Sequence, residues 1–357
     1  MIDLLNLNKK DLRAWLAEQN EPAYRATQIE RWLYSELVID FDSMTNLSRD
    51  LRKRLSESAS IGAPKLVAEK KSADGLTHKA LLQLDDEQTI ETVLMLYPDA
   101  PEQSEPGDAK RRTVCISTQV GCPIGCPFCA TGQAGYIRNL TPGEIVAQVL
   151  HFARALKPES LTNIVIMGMG EPFMKFGVTW QAIETLTDPE RFGLGARRIT
   201  VSTSGEIRGI ERMAREKLEI NLAVSLHAPD DELRNALVPL NRKYPLKDLL
   251  RAVRDYTKKT HRRVTFEYAL MDRVNDSPGQ ARALAQILKG LLCHVNLIPL
   301  NPTIATTYER SPRERVKQFQ KILAEAGVPT TLRVEKGIEI AAGCGQLRQS
   351  KAKENSA

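Results

Sequence analysis

The chain has 357 residues, enough for one large α/β domain and a smaller companion, and a hydrophobic share of 42% is ample for a buried core. No stretch reads as a membrane span, and the opening MIDLLNLNKKDLRAWLAEQ lacks the order of a secretory signal, so a cytoplasmic protein without a membrane role is expected. The 50 basic against 44 acidic residues leave a net charge of +6, which suits a polyanionic partner without requiring one.

In chain order, apolar residues at helical spacing predict helices at Lys9–Glu18, Arg25–Ser35 and Ser48–Ser58, a small helical domain over residues 1–62. Strand patterns in HKALLQL and TIETVLML make residues 63–97 a bridging β segment. Residues 98–112, rich in Pro, Asp and Glu, are expected to form an exposed linker. Strands and helices then alternate. Strands at Thr113–Ser117, Asn163–Met167, Ile199–Ser202, Asn221–Leu226, Val264–Leu270 and Val295–Pro299 interleave with helices at Pro142–Leu156, Thr179–Leu186, Ile207–Glu216, Leu246–Lys259, Gln280–Leu291 and Arg313–Ala326. The fold class is therefore α/β, a partial (βα)6 barrel over residues 113–345 beside the helical domain, with a basic tail at 346–357. Basic residues cluster at Arg111-Arg112, Arg197-Arg198, Lys258-Lys259, His261-Arg262-Arg263 and, in the tail, Arg348, Lys351 and Lys353. Taken singly, each is a solvated face.

Of the 6 cysteines, Cys122, Cys126 and Cys129 lie within eight residues, in GCPIGCPFCATGQAGY. Cys-x3-Cys-x2-Cys on one loop is an incomplete ligand set for a [4Fe–4S] cubane, whose fourth iron is left open to chelate the amino and carboxylate groups of S-adenosylmethionine. The alternative is structural zinc, with Cys115 or a distant residue as fourth ligand. Zinc arms usually come as paired Cys-x2-Cys, and no second pair exists here. The small run Ala130-Thr131-Gly132 behind Cys129 is expected to let backbone crowd a bound cofactor.

Reactive groups of parallel α/β folds gather where strands end. The cysteine loop follows the first barrel strand, GMGEP (168–172) the second, Ser202-Thr203-Ser204-Gly205 the third, Ser225-Leu226-His227-Ala228 the fourth and Asn301-Pro302 the sixth. Read alone, these serines are turn residues, Glu171 a helix cap, His227 a hydrogen-bonded histidine, Cys115 a core thiol and Cys344 an exposed tail cysteine. Cys293 reads as core packing.

The segments AYRATQIERWLY, IETV, CISTQVGC, GMGEP, VSTSG, SLHAP, NLIPLNP and AAGCGQL together resemble the RlmN-type radical methyltransferases, which methylate C2 of adenosine in 23S ribosomal RNA and in some transfer RNAs. The Cfr-type enzymes share the core motifs but methylate C8, and remain the alternative; a non-enzymatic metal-binding protein that interacts with RNA is the second.

The resemblance implies Cys122, Cys126 and Cys129 as cluster ligands. It implies contacts to S-adenosylmethionine from Gly170, Glu171, Ser202, Ser225, Leu226, His227 and Asn301. It further implies that Cys344, on a small-residue loop expected to swing, first accepts a methyl group, that Cys115 later forms a disulfide with Cys344, and that Glu91 accepts the C2 proton. An RNA substrate flipped into the barrel mouth, an electron donor such as flavodoxin and a monomeric state complete the expectation.

Overall fold

The computed structural model describes residues 1–98, 110–301, 303, 306–333 and 336–347. Most of the expected linker, Pro302 and the basic tail residues Arg348, Lys351 and Lys353 lie outside the described residues.

The chain opens with strand β1 (Ile2–Asp3), then helices α1 (Lys9–Glu18), α2 (Tyr24–Arg31) and α3 (Arg49–Ser58), and β2 (Ala59–Ser60) returns to pair with β1 in parallel. Asn8 caps α1 through the backbone N–H of Asp11, and Ser48 caps α3 through that of Leu51. The second expected helix runs on from α2 as a π-helical turn, Trp32–Glu36.

Strands β3 (Lys65–Lys71), β4 (Thr77–Gln83) and β5 (Thr89–Tyr97) form an antiparallel meander, and β5 pairs with β6 (Arg111–Cys115). Arg111 and Arg112 therefore belong to a barrel strand rather than to the linker. A hairpin of β7 (Gln119–Gly121) and β8 (Tyr136–Asn139) encloses the cysteine loop and the short helix α4 (Ala130–Gln133). Next come α5 (Pro142–Leu156), β9 (Asn163–Ile166), α6 (Phe176–Thr187), β10 (Ile199–Thr203), α7 (Ile207–Met213), β11 (Asn221–Ser225), α8 (Asp231–Leu237), α9 (Leu246–Thr260), β12 (Val264–Leu270), α10 (Pro278–Leu288), β13 (Cys293–Pro299), α11 (Arg313–Glu325) and β14 (Thr330–Leu332). Capping boxes at Thr141/Glu144 and Ser277/Gln280, each with proline next, start α5 and α10.

All these strands except β1, β2, β7 and β8 build one 10-stranded sheet, ordered β14-β13-β12-β11-β10-β9-β6-β5-β4-β3. From β6 to β14 every neighbour is parallel. The expected barrel strands are all present, β14 adds one more, and the sheet stays open between β14 and β3. Its outer face, with Val114, Ile164, Val201, Val224, Phe266 and Leu297 at 0% exposure, joins the helices in one core. Cys293 is buried in that core, as expected.

The helical residues dock on α5 and α6. Glu30 and Arg191 form a buried ion pair at 2.7 Å, Arg191 also donates to the carbonyl of Leu7, and Gly143 N–H donates to Asn6 Oδ1 at 2.8 Å.

Candidate active site

The cysteine loop is closed by its own backbone. Cys122 N–H donates to the Gly135 carbonyl at 2.8 Å, and Cys129 N–H to that of Cys126 at 3.1 Å. A Cβ on Gly121, which has φ +77°, would lie 2.0 Å from the Gly135 carbonyl oxygen, and one on Gly132 would lie 2.8 Å from Cys126 N. Gly132 therefore serves closure of the loop, a tighter reason for small residues here than the cofactor crowding expected. Cys122, Cys126 and Cys129 face a common cavity of about 180 Å3. Burial pushes the Cys122 thiol up to about 12, and burial and then the neighbouring thiols raise Cys126. A bound metal inverts this balance by deprotonating its thiol ligands. Among the described residues no group of three or more His, Cys, Asp or Glu is arranged around a metal ion. The thiols are instead three corners of a cavity, and a cubane takes one thiolate on each ligated iron.

The same cavity is walled by Gly170, Glu171, Ser202, Ser225, His227 and Asn301. Gly170 has φ +107°, and a Cβ there would lie 2.6 Å from the Gln119 side chain, so only glycine fits. Glu171 is buried and accepts from Phe173 N–H (3.1 Å), the Thr203 hydroxyl (2.8 Å), and the N–H and hydroxyl of Ser204 (2.7 and 2.6 Å). It caps the turn after GMGEP and also ties that loop to the one after β10. Burial raises its pKa against those donors. His227, at φ +61°, meets Phe128 edge to face at 5.0 Å.

A second cavity, of about 70 Å3, lies beside the first and is walled by Cys115, Cys344, Val93, Met95 and Arg333. Cys344 and Gly345 border both. Cys115 is pushed up to about 12 by burial first and then by Cys344. Arg333 is raised by Cys344 above all, which places a permanent cation beside both sulfurs. The Cys344 loop, expected to swing, is docked. Asn301 Nδ2 donates to the Cys344 carbonyl at 3.1 Å, Ala130 N–H to that of Gly345 at 2.8 Å, and Lys79 Nζ to that of Ala341 at 3.1 Å.

Residues 2–61 match the model of the ribosomal RNA large subunit methyltransferase N-terminal domain, and residues 116–284 that of the radical SAM superfamily. The chain is 50% identical to a probable dual-specificity RNA methyltransferase RlmN of Chloroflexus aurantiacus, covering 96% of this chain and 92% of that protein. It is 46% identical to a ribosomal RNA large subunit methyltransferase N of Nitrosopumilus maritimus, covering 98% and 99%. A crystal structure of a radical SAM methyltransferase from Sphaerobacter thermophilus matches with TM-score 0.93 and 50% identity, over 98% of this chain and 99% of that one. The chain belongs to the RlmN family. Its cofactors are a [4Fe–4S] cluster and S-adenosylmethionine, and the cysteine cavity has the donor set for them.

Within this RlmN-family chain the tertiary structure gathers the three ligand cysteines, Gly170, Glu171, Ser202, Ser225, His227, Asn301 and Cys344 on one cavity, and joins Cys115 to it through the second. Leu226 does not line that cavity: Ser225 and His227 face it, while the Leu226 side chain is fully buried in the core, which leaves only its backbone for the expected cofactor contact. Glu91 is buried but borders neither cavity; its carboxylate pairs with Lys79 at 2.9 Å. Sequence reasoning missed Arg234, Glu267, Arg333 and Lys79. Arg234 is 1% exposed and donates to the carbonyls of Ser204, Ser225 and Leu226 and to Asn241 Oδ1. An arginine five residues after SLHAP, on α8, is the signal that was available.

Proposed function

We propose that this chain methylates C2 of an adenosine in 23S ribosomal RNA and in transfer RNA, by way of a methyl group carried on Cys344. The supporting observation is Cys344 standing on the border of two cavities, one holding the cluster cysteines and the other Cys115. When bound, the cluster and S-adenosylmethionine supply a methyl group and, on reductive cleavage, a hydrogen-abstracting radical. Adenine C2 is electron-poor between two ring nitrogens and cannot displace a methyl group itself, so a carrier thiol and a radical are what its chemistry requires.

Cys344 accepts the methyl group as S-adenosylhomocysteine leaves; after hydrogen abstraction its methylene carbon bonds to C2, and the unpaired electron this leaves on the base would return to the oxidised cluster as the C2 proton departs. Glu91, held by Lys79, is the proposed acceptor of the C2 proton; it shares a face of β5 with Val93 and Met95, which wall the thiol cavity. Cys115 then attacks the Cys344 sulfur. The S–S bond forms as the S–C bond breaks, the electron pair leaves with the carbon, and that carbon takes a proton. The disulfide needs two-electron reduction before the next turnover, and a flavodoxin-like donor in the cytoplasm suits the cluster. The protein is proposed to act as a monomer.

Cys115→Ala should accumulate RNA cross-linked through Cys344 under reducing turnover conditions, read as a shifted band and a peptide–nucleotide mass. Cys126→Ala should lose both the brown colour and the cross-link. A Cys115→Ala protein that completes turnover overturns the thiol assignment. Mass analysis of digested product separates 2-methyladenosine from the 8-methyl isomer.

A further inference from the structure

We propose that the lumen beneath the Cys344 loop admits the RNA nucleotide, with Glu267 meeting its base and Arg111 and Lys336 gripping its backbone; this rests on the function proposed above. The chamber has a volume of about 670 Å3, within the range of sites that enclose a small ligand. Its wall is the inner face of the parallel sheet, where alternation presents Thr113, Asn163, Thr200, Thr265 and Asn296. A closed barrel fills this space with branched apolar side chains. Here hydroxyls and amides line it, groups that suit a base and a sugar.

Glu267 is the first pointer to the occupant. It is 4% exposed, and Asn296 Nδ2 donates to Oε1 at 3.0 Å while the Thr331 hydroxyl holds Asn296 in turn. Oε2 has no hydrogen-bond partner among the described residues, and Arg333 stands 3.8 Å from it. Arg333 supplies charge to that oxygen but at 3.8 Å is too far to hydrogen-bond it, and a buried carboxylate oxygen short of a hydrogen-bond donor is costly. The exocyclic amino group of adenine is a donor of the right kind.

The solvent end supplies the second pointer. The Tyr97 ring carries the Arg111 guanidinium at 3.8 Å and the Lys336 ammonium at 5.0 Å, so one aromatic side chain orients two cations at the mouth. Asp74 shares that mouth and offsets part of their charge. Paired cations beside an aromatic face are a common means of holding a nucleic-acid strand.

Continuity is the third. Met167, Glu267 and Arg333 border both the chamber and the cofactor cavity, while Tyr97, Arg333 and Lys336 border both the chamber and a small cavity containing Cys344. The Cys344 loop is thus a partition, with the methyl donor on one side and room for the acceptor on the other.

The test is methyl transfer to a 23S ribosomal RNA fragment, measured against RNA and salt concentration. Arg111→Ala and Lys336→Ala should each raise KM for the RNA and lower the salt slope of binding by about 1. Wild type should prefer target adenosine over purine riboside, which lacks the amino group, and Glu267→Ala should lose at least about ten-fold of that preference. Unchanged KM and salt slope in both mouth variants, or full discrimination in Glu267→Ala, overturns the proposal. So does a Glu267→Ala protein that no longer methylates Cys344 without RNA, because Glu267 would then serve the methyl donor. Wild-type protein that never methylates Cys344 counts against the proposed function instead, leaving the two failures distinct.

Discussion

The imidazole of His227 is held in one tautomer by the backbone. Ala269 N–H donates to Nδ1 at 3.0 Å, so the ring hydrogen sits on Nε2, where it is a donor at the cavity wall. Burial, with the Arg234 charge adding to it, pushes the pKa down to about 3. The ring therefore stays neutral at working pH, and its NMR resonances should not titrate between pH 8 and pH 5; a midpoint near the ordinary 6.5 overturns this. The sign for stability follows from linkage. Between about pH 6.5 and 3 the unfolded chain binds the proton and the folded chain does not, so this contribution is complete above 6.5 and is lost as pH falls toward 3. Urea unfolding at pH 7 and pH 5 should show a smaller drop for His227→Asn than for wild type. That His227 would be a bonded histidine was legible in its place after a strand. Its neutral state was not, because the burial comes from elements distant in the chain and only the fold brings the Arg234 charge to bear on the ring.

The ends of β10 and β11 are knitted together by one side chain. Arg234 of α8 donates to Ser204 O at 2.7 Å, Ser225 O at 3.2 Å, Leu226 O at 3.1 Å and Asn241 Oδ1 at 2.7 Å. Arg234→Met keeps the apolar stem but strands these buried acceptors, so it should cost about 3 kcal/mol or more in denaturant unfolding. S-adenosylmethionine binding should weaken with it, since Ser204 and Ser225 line the cavity; an unchanged midpoint and affinity would show that water replaces the guanidinium. Long elements were readable from sequence: α1 and α5 span the residues that the periodicity marks, and Asn8 and Thr141 cap their starts. The short ones were not. β14 has only three residues, and α8 only seven, of which Arg234 and Leu237 are buried, too few for a period to emerge.

A net charge of +6 becomes useful only if cations meet phosphates in register. RNA affinity should fall linearly on a log–log plot as salt rises; a flat titration removes the electrostatic part of the proposal. Some of the basic clusters are already neutralised by partners, as Arg197 is by Glu219 at 2.6 Å. Cation pairs such as Arg111 and Lys336 are assembled only by folding. The cysteine spacing, the strand–helix rhythm and the position of each motif after a strand were local facts; they favoured an iron–sulfur cluster over zinc and gave the partial α/β barrel, and the motif resemblance supplied the cofactor. Which side chains look inward was decided in three dimensions. Leu226 turned to the core, Glu91 was claimed by Lys79, and Arg333 was brought to the wall of the cavity that Cys115 and Cys344 share, because burial, charge pairing and loop docking act between separate elements of the fold.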